Sequence, residues 1–324
     1  MPDSAQRRVP QILRADATET GPPADDILRG LSAPDPAIPP RFFYDEQGSR
    51  LFAAITALEE YYPTRTEAAL LTQHLPDIAD ACADTGTVLI DLGAGNCEKA
   101  ARLFEFLAPE QYVAVDISVE FLRCALGDLQ RRYPELALLG VATDFSRGLV
   151  LPAQVAATRR LFFYPGSSIG NFTPAEAGEF LAGLRPLMDE RGALLIGVDL
   201  IKEAEVLERA YDDALGVTAA FNLNILRHAN RLAGTDFRVE DWRHVACFNR
   251  GQSRIEMHLE ARRALQVRWP GGGRRFAAGE RIHTENSCKY TPDSFRALLQ
   301  SAGYRGIRHW TDERGWFGMF LARP

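Results

Sequence analysis

The chain has 324 residues, of which 46% are hydrophobic and 25% are charged, and its formal net charge at pH 7 is -6. A chain of this length can bury a sizeable core and has room for about two domains. The acidic balance, with lysines and arginines scattered along the chain, argues against a nucleic-acid partner, which needs a basic face.

Neither export nor membrane insertion is indicated by the sequence. No apolar run approaches the ~18 residues of a membrane span, and the N-terminus has acidic residues and prolines where a signal peptide has an apolar segment. The five cysteines are an odd number without a C-x-x-C spacing, which favours reduced thiols over a disulfide framework or a zinc site. We expect a cytoplasmic monomer that holds no metal.

The segment before the first core strand is only partly regular. The first 40 residues show little apolar periodicity beyond a short predicted helix at 25–31, so the extreme N-terminus is expected to be loose or draped over the surface. From Ser49 to Leu58 apolar residues recur at helical spacing. Thr66 then has the position of an N-cap, which predicts a second helix through Leu75.

The most informative local pattern is an apolar strand that runs into a tight glycine turn. Residues 88–95 read Val-Leu-Ile-Asp-Leu-Gly-Ala-Gly, and a second apolar run, 112–115, ends in Asp116. A carboxylate at the end of the second strand can accept hydrogen bonds from both hydroxyls of a ribose, while a turn without side chains lets the backbone approach the ligand. The pattern predicts a site for a nucleoside-bearing cofactor.

Glu98 decides which cofactor is favoured. A dinucleotide fingerprint has a small residue at this position, where helix and pyrophosphate crowd together, and the negative charge of Glu98 would face that phosphate pair. S-adenosylmethionine has no phosphate, so Glu98 is no obstacle to it. The pattern therefore favours a methyltransferase core.

The following segments alternate between strand and helix. Predicted strands at 137–141, 160–164 and 193–198 are separated by predicted helices, which lie at 98–107, 120–132 and 174–188. Strands separated by helices of this length predict right-handed crossovers and a parallel sheet.

The alternation stops at Lys202. A long helical segment that contains Tyr211 and Phe221 is followed by alternating strands at 242–249, 254–259 and 264–269, which predict an inserted hairpin meander. A helix at 292–302 and two closing strands, at 304–310 and 316–322, complete the chain.

Four blocks of sequence, in order along the chain, carry a resemblance to a known family. They are Phe-Tyr-Asp-Glu-Gln-Gly-Ser at 43–49 with Glu-Tyr-Tyr-Pro-Thr-Arg at 60–65; Pro-Gly-Ser-Ser-Ile-Gly-Asn at 165–171; Ala-Tyr-Asp-Asp at 210–213 with Thr-Ala-Ala-Phe-Asn at 218–222; and Thr-Glu-Asn-Ser-Cys-Lys at 284–289. Together they resemble the histidine-specific Nα-methyltransferases of ergothioneine biosynthesis. The resemblance implies three successive methylations of the α-amino group of L-histidine, which give hercynine.

The fold class that we expect is α/β, with a Rossmann-like class I methyltransferase core and a smaller α+β lid domain that binds substrate. Residues 66–200 and 289–324 are expected to form the core. Residues 1–65 and 201–288 are expected to form the lid.

The resemblance also implies ligand contacts at named positions. For S-adenosylmethionine these are Tyr44, Gly93, Lys99, Asp116, Asp144 and Phe145. Asp116 suits the ribose diol, Asp144 can accept from the adenine amino group, and Phe145 offers an apolar face to the ring. Without the resemblance, Lys99 reads equally well as a solvated helix charge and Phe145 as a core residue.

The amino-acid substrate is expected to contact a second set of residues. The resemblance places Tyr61, Asn171 and Tyr211 around its α-amino and carboxylate groups, with Asn171 and Tyr211 as the catalytic pair, and places Met257, Glu285 and Ser287 around the imidazole. Glu285 can accept from an imidazole N–H and Ser287 can bond the other nitrogen, which would distinguish histidine from apolar aromatic amino acids.

Several alternatives stay open at this stage. A slip of one position would exchange Tyr61 for Tyr62, and Asn286 stands where a small apolar residue is expected. The chain could methylate another α-amino acid, such as a tryptophan derivative, or act as a sensor of S-adenosylmethionine or an amino acid without turnover.

Overall fold

The computed structural model describes residues 8–15 and 22–324. The strands in these residues are β1 (Gln11–Arg14), β2 (Val88–Leu92), β3 (Gln111–Asp116), β4 (Ala137–Ala142), β5 (Arg160–Tyr164), β6 (Ala193–Asp199), β7 (Trp242–Asn249), β8 (Arg254–Ala261), β9 (Leu265–Trp269), β10 (Gly272–Phe276), β11 (Arg281–Cys288), β12 (Arg305–Thr311) and β13 (Phe317–Arg323). The α-helices are α1 (Pro23–Ser32), α2 (Glu46–Ile55), α3 (Tyr62–Ala81), α4 (Glu98–Ala101), α5 (Phe104–Leu107), α6 (Val119–Arg132), α7 (Pro174–Leu184), α8 (Ala204–Tyr211), α9 (Val217–Ala233) and α10 (Pro292–Ser301).

The central sheet has eight strands in the order β1-β4-β3-β2-β5-β6-β13-β12. Strands β1 to β6 pair in parallel with one another, and β13 is antiparallel to both β6 and β12. The chain starts this core at β2, moves outward to β4 and then returns to β5, so the strand order reverses between β2 and β5. Ligands of open α/β sheets bind at such a reversal, outside the carboxyl ends of the strands. The predicted Rossmann-like core, a parallel sheet closed by two antiparallel strands, is confirmed.

The parallel strands are apolar because helices cover both faces of the sheet. All residues of β2 and β6 are buried, as expected for strands of a parallel sheet packed on two sides. One hydrophobic cluster, which includes Leu70 and Phe104, lies on one face, and a second, which includes Ile169 and Phe295, lies on the other.

A third hydrophobic cluster joins segments that are far apart in sequence. Phe43, which precedes α2, stacks on Phe221 of α9 with ring centroids 4.5 Å apart, and the same cluster includes Ile27 of α1 and Met257 of β8. Strands β7, β8 and β11 form a three-stranded antiparallel sheet in the order β11-β8-β7. Helices α8 and α9 both pack on this sheet.

Several predicted boundaries were wrong. The extreme N-terminus was expected to be loose or draped over the surface, but β1 pairs with β4 at the edge of the central sheet. Residues 1–7 and 16–21 lie outside the described residues. Helix α3 begins at Tyr62, ahead of the predicted cap Thr66, because Pro63 favours the first turn of a helix. The predicted helix at 98–107 is broken into α4 and α5.

The helical segment after Lys202 is also divided. Helix α8 ends at Tyr211, and α9 begins after Gly216, which has a φ of 73°. Asp213 caps α9, because its carboxylate accepts from Thr218 N at 2.7 Å and Val217 N at 3.0 Å. This break places Tyr211 at a helix end beside the central sheet.

Membrane insertion finds no support in the helices: within residues 8–15 and 22–324, none combines the length and apolarity of a bilayer span.

Candidate active site

A cavity of about 490 Å³, counted with its opening to solvent, lies between the carboxyl edge of the central sheet and the three-stranded sheet. Polar and aromatic side chains from both sides of the fold reach it. Its lining is Tyr44, Phe52, Ile55, Tyr61, Gly166, Ser167, Ser168, Asn171, Ala210, Tyr211, Thr218, Phe221, Met257, Glu285 and Ser287. All six residues expected to contact the amino acid are in this set, together with Tyr44.

The glycine turn after β2 and the carboxylate after β3 are joined by hydrogen bonds. Gly93 N donates to Val115 O at 2.9 Å, and Asp116 accepts from Gly95 N and Ser118 N, each at 3.0 Å. Burial raises the pKa of Asp116, and these backbone donors oppose the rise. Each carboxylate oxygen keeps a lone pair for a further donor, which suits a vicinal diol.

Phe145 covers the glycine turn. A Cβ built on Gly93, whose φ is 73°, would come within 3.9 Å of the Phe145 ring. Asp144, beside it, accepts from Ser146 N at 3.2 Å and lies 3.5 Å from Arg41 Nε. The structure thus brings Gly93, Asp116, Asp144 and Phe145 to one end of the sheet.

Lys99 is tied to a residue that sequence reasoning missed. Glu67 of α3 is fully buried, accepts from Lys99 Nζ at 2.6 Å and accepts from Gly166 N at 2.7 Å. One carboxylate therefore holds both the helix after the glycine turn and the loop that lines the cavity. The signal available in the sequence was that Glu67 is a charged residue between the start of the helix and Leu70. Its burial could not be predicted, because it depends on tertiary packing.

Gly197 of β6 provides the room for Glu67. A Cβ at this position would lie 2.4 Å from Glu67 Oε1 and 3.0 Å from the Phe317 ring. We expect Gly197→Ala to lower the free energy of unfolding by roughly 1–3 kcal/mol. It should also raise the KM for S-adenosylmethionine and the KM for the amino acid, because Glu67 holds both the helix that carries Lys99 and the loop that carries Gly166. Steady-state kinetics and urea unfolding measure these effects.

Gly178→Ala is the matched control for this substitution. Gly178 lies within α7, and an added Cβ there meets only Leu298, at 3.5 Å. Alanine favours a helix over glycine, so this variant should be as stable as the wild type or more so. Unchanged kinetics in Gly197→Ala would contradict the positioning role of Glu67.

Two adjacent tyrosines point to different places. Tyr61 lines the cavity, and its ring centroid is 6.2 Å from that of Tyr211. Tyr62 is buried beneath it, where its hydroxyl donates to Asp199 at 2.7 and 2.9 Å. Of the two candidates, the residue that faces the cavity is Tyr61.

The last residues of β11 alternate between the cavity and the opposite face. Glu285 and Ser287 line the cavity, whereas Asn286 between them bonds His283 Nε2 through its Oδ1 at 2.9 Å. The register of β11 on β8 shifts between His283 and Glu285. Asn286 is therefore not part of the cavity lining, and its polarity is satisfied elsewhere.

Burial controls the protonation of the cavity residues. It raises the pKa of Glu285 to about 7, although Lys289 and a hydrogen bond from Asn171 act in the opposite direction. Burial also raises the pKa of Tyr44, Tyr61 and Tyr211 well above the usual value, and Glu285 adds to the effect at each. The three phenols stay protonated and act as hydrogen-bond donors or acceptors rather than as bases.

Asn171 is placed by a tightly packed loop. The loop after β5 ends in a short 3-10 helix, Ser168–Asn171, which follows Ser167 in the left-handed conformation with a φ of 61°. A Cβ at Gly170 would lie 2.9 Å from Cys288 O, so glycine lets this loop pack against β11. The packing brings Asn171 beside Glu285.

A buried charge cluster behind the cavity was also missed. Asp199 pairs with both Lys202 and Lys289, and Lys289 also donates to Ser287 and Tyr211. Asp199 terminates an apolar strand, as Asp116 does, and this was the available signal. Lys289 was part of a recognised sequence block without a role of its own.

One group of metal-ligating side chains lies on the other face of β8. Cys247, Glu256 and His258 have ligand atoms within 4.8 Å of one another. Burial opposes ionisation of Glu256, but hydrogen bonds from Arg254, Asn249 and His258 outweigh it and lower its pKa to about 2. Glu256 is thus already paired with a guanidinium, and we assign no metal to this group.

Comparison with known proteins agrees with this geometry. Residues 23–324 match the family model described as histidine-specific methyltransferase, SAM-dependent. The chain belongs to this family. It is 43% identical over 304 residues to the histidine N-alpha-methyltransferase of Mycolicibacterium smegmatis, which covers 92% of this chain and 93% of the relative.

Two other relatives support membership of the histidine-specific methyltransferases. The histidine N-alpha-methyltransferase of Mycobacterium tuberculosis is 42% identical over 305 residues, with 92% of this chain and 93% of the relative covered. Ergothioneine biosynthesis protein 1 of Neurospora crassa is 32% identical over 284 residues, which cover 85% of this chain and 32% of that larger protein.

Proposed function

We propose that this methyltransferase transfers three methyl groups from S-adenosylmethionine to the α-amino group of L-histidine and so forms hercynine in ergothioneine biosynthesis. The observation that carries the proposal is the cavity, where Glu285, Ser287 and Met257 meet Tyr61, Asn171 and Tyr211. Two relatives of this chain have the name histidine N-alpha-methyltransferase, which also supports the proposal.

The cofactor would be held at the carboxyl ends of β2 and β3. The Asp116 carboxylate would accept from the ribose hydroxyls, Phe145 would cover the adenine, and Asp144 would accept from its amino group. Gly93 leaves space above the turn, and Tyr44 and Lys99 would complete the site near the cavity. When bound, the sulfonium supplies an already reactive methyl group.

The residues of the cavity would orient the amine and exclude water. The Asn171 side-chain carbonyl would accept from the α-amino group and direct its lone pair at the methyl group, in line with the bond that breaks. Tyr61 would donate to the carboxylate, and Tyr211 would lie beside it with its hydroxyl bonded to Ser287. Glu285 would accept from the imidazole N–H, and Ser287 would donate to the other nitrogen. No covalent enzyme intermediate is required.

The α-ammonium group must lose a proton before each transfer. Asn171 is not a base, and the raised pKa values of Tyr61 and Tyr211 exclude tyrosinate, so the proton would leave to solvent or through water bound to the tyrosines. We expect kcat/KM to rise with pH through the titration range of the substrate amine, without a falling limb from tyrosine ionisation.

A pH-rate profile tests this expectation. Ionisation of Glu285 should also raise kcat/KM as the pH rises, because the carboxylate is the form of Glu285 that accepts from the imidazole N–H. The Glu285→Gln variant separates the two contributions to the pH dependence of kcat/KM. It should keep the dependence on the titration of the substrate amine and lose the dependence on the ionisation of Glu285. A profile that is flat across the amine titration would contradict the route to solvent.

The decisive experiment is mass spectrometry after incubation of the protein with S-adenosylmethionine and a mixture of the twenty amino acids. A gain of three methyl groups on histidine alone is expected. Trimethylation of another amino acid would keep the reaction and reject the pocket assignment. Absence of any methylation would favour a sensor over an enzyme.

We also propose a division into core and lid that differs from the expected one at the N-terminus. Residues 22–65 and 201–288 share the third hydrophobic cluster, which supports a lid built from both, whereas β1 pairs with the core strand β4. We propose further that the enzyme acts as a monomer in the cytoplasm.

A further inference from the structure

The buried charge cluster behind the cavity holds two cations around one anion. Asp199 Oδ1 is 2.6 Å from Lys202 Nζ, and Asp199 Oδ2 is 2.8 Å from Lys289 Nζ. These three side chains are each at most 2% exposed. Burial alone would raise the pKa of Asp199, but the two ammonium groups outweigh it and lower the pKa. Burial lowers the pKa of Lys202 to about 8, and the Asp199 carboxylate opposes that fall. With two ammonium groups around one carboxylate, the cluster carries one net positive charge beside the cavity.

The two lysines differ in what else they contact. Lys202 donates to the Tyr62 hydroxyl and to Leu200 O, and neither of these lines the cavity. Lys289 donates to Ser287 Oγ at 2.6 Å and to Tyr211 Oη at 3.2 Å. Of the two lysines, Lys289 is the one that contacts residues of the cavity lining.

The number of protons on Lys289, Ser287 and Tyr211 determines which of these groups donate and which accept. An ammonium group has three protons and no acceptor, and Lys289 uses all three on Asp199, Ser287 and Tyr211. The two hydroxyls share one further hydrogen bond of 2.7 Å, which uses one of their two protons. The remaining hydroxyl proton is available to the cavity, which both residues line. The two hydroxyls together therefore offer one donor to the ligand.

We propose that Lys289 is a positioning residue that orients these two hydroxyls, so that Tyr211 donates to Ser287 and Ser287 donates to the bound amino acid. The inference rests on the proposed function and adds a determinant of substrate form. A ligand group that faces this pair must be an acceptor, such as a carboxylate or an unprotonated imidazole nitrogen. Histidine therefore binds with a neutral imidazole, its N–H toward Glu285.

The positive charge supports the same selection. An imidazolium has N–H donors at both nitrogens, so it would present a donor to a donor and would lie near the Lys289 ammonium group. Glu285 alone would attract an imidazolium, and Lys289 opposes that attraction. The two charged residues on either side of the ring thus select one neutral tautomer.

Calorimetric titration of L-histidine in the presence of S-adenosylhomocysteine tests the proposal without turnover. Lys289→Met should raise the Kd for histidine about 10- to 100-fold and leave the Kd for S-adenosylhomocysteine unchanged. Lys202→Met is the matched control, because it removes the other buried lysine of Asp199 and should leave both values near those of the wild type. Equal weakening by the two variants would overturn the proposal.

A double-mutant cycle tests whether Lys289 acts through the hydroxyls. In a Ser287→Ala, Tyr211→Phe background, Lys289→Met should weaken histidine binding less than about 3-fold further, because its targets are already removed. An undiminished effect there would overturn the positioning role. If the wild type itself does not bind histidine, the proposed function fails first, which is a distinguishable result.

The wild-type protein offers a measurement that does not depend on the folding of any variant. Nitrogen NMR of labelled L-histidine bound with S-adenosylhomocysteine should show one neutral tautomer at a pH near the imidazole titration. A bound imidazolium would overturn the inference.

Discussion

Asp116→Asn is expected to weaken the binding of S-adenosylmethionine and S-adenosylhomocysteine about 100-fold or more. The carboxylate already accepts from Gly95 N and Ser118 N, and its free lone pairs are the proposed acceptors for the ribose diol. Asparagine removes the charge and replaces one acceptor by a donor, so it loses at least one charge-assisted bond of ~1.5–3 kcal/mol and leaves a ligand hydroxyl unpaired. Isothermal titration with S-adenosylhomocysteine measures the loss.

Folding and binding are separable in this variant. Burial raises the pKa of Asp116, so removal of its charge relieves a cost to the folded state at neutral pH. This relief opposes the loss of one backbone hydrogen bond, from Gly95 N or Ser118 N, to the oxygen that asparagine replaces by an amide nitrogen. Thermal unfolding of the variant, measured beside the Kd, shows that the protein used for binding is folded. Asp128→Asn is the matched control, because Asp128 is an exposed residue of α6 that pairs only with Arg131. An unchanged Kd in Asp116→Asn would refute the assignment of this carboxylate to the cofactor.

Glu285→Gln is expected to lower kcat/KM for histidine by about 10- to 100-fold while the KM for S-adenosylmethionine stays the same. The amide is nearly isosteric and can still accept one hydrogen bond, but the charge that strengthens the bond to the imidazole N–H is lost. Discrimination against phenylalanine should fall by a similar factor, because phenylalanine does not use this acceptor. Competition assays with both amino acids measure the change.

The same substitution should stabilise the unliganded protein at alkaline pH. The folded pKa of Glu285, about 7, lies above its ordinary value of 4.5. Its contribution to stability is therefore fully present below the unfolded pKa and is lost as pH rises through the folded pKa. Wild type should lose on the order of 2–3 kcal/mol relative to Glu285→Gln between about pH 5 and pH 8.

Thermal unfolding at a series of pH values checks this sign. Glu120→Gln provides the control, since Glu120 is exposed on α6 and pairs with Arg123 across one helical turn. Parallel stability curves for wild type and Glu285→Gln would contradict the raised pKa. An activity loss together with a stability gain would mark Glu285 as a residue retained for function at the expense of folding.

The core of the fold was predictable because its patterns are local. An apolar run followed by glycine, as in β2, or by an aspartate, as in β3, fixes a strand and its end within a few residues. Helix ends were less predictable: α3 begins at Tyr62 rather than after Thr66, and the first N–H groups of α9 donate to Asp213. Such boundaries depend on which of several competent caps the packing selects.

The residues of the candidate site came from sequence blocks, but their arrangement came from the fold. The sequence by itself determined the methyltransferase core and predicted the six substrate residues that line the cavity, among them Asn171 and Glu285. Only the tertiary structure separated Tyr61 from Tyr62, turned Asn286 away from the cavity, and buried Glu67 and Lys289 behind it. Burial, hydrogen-bond pairing and pKa depend on contacts between distant segments, and a local pattern does not contain them.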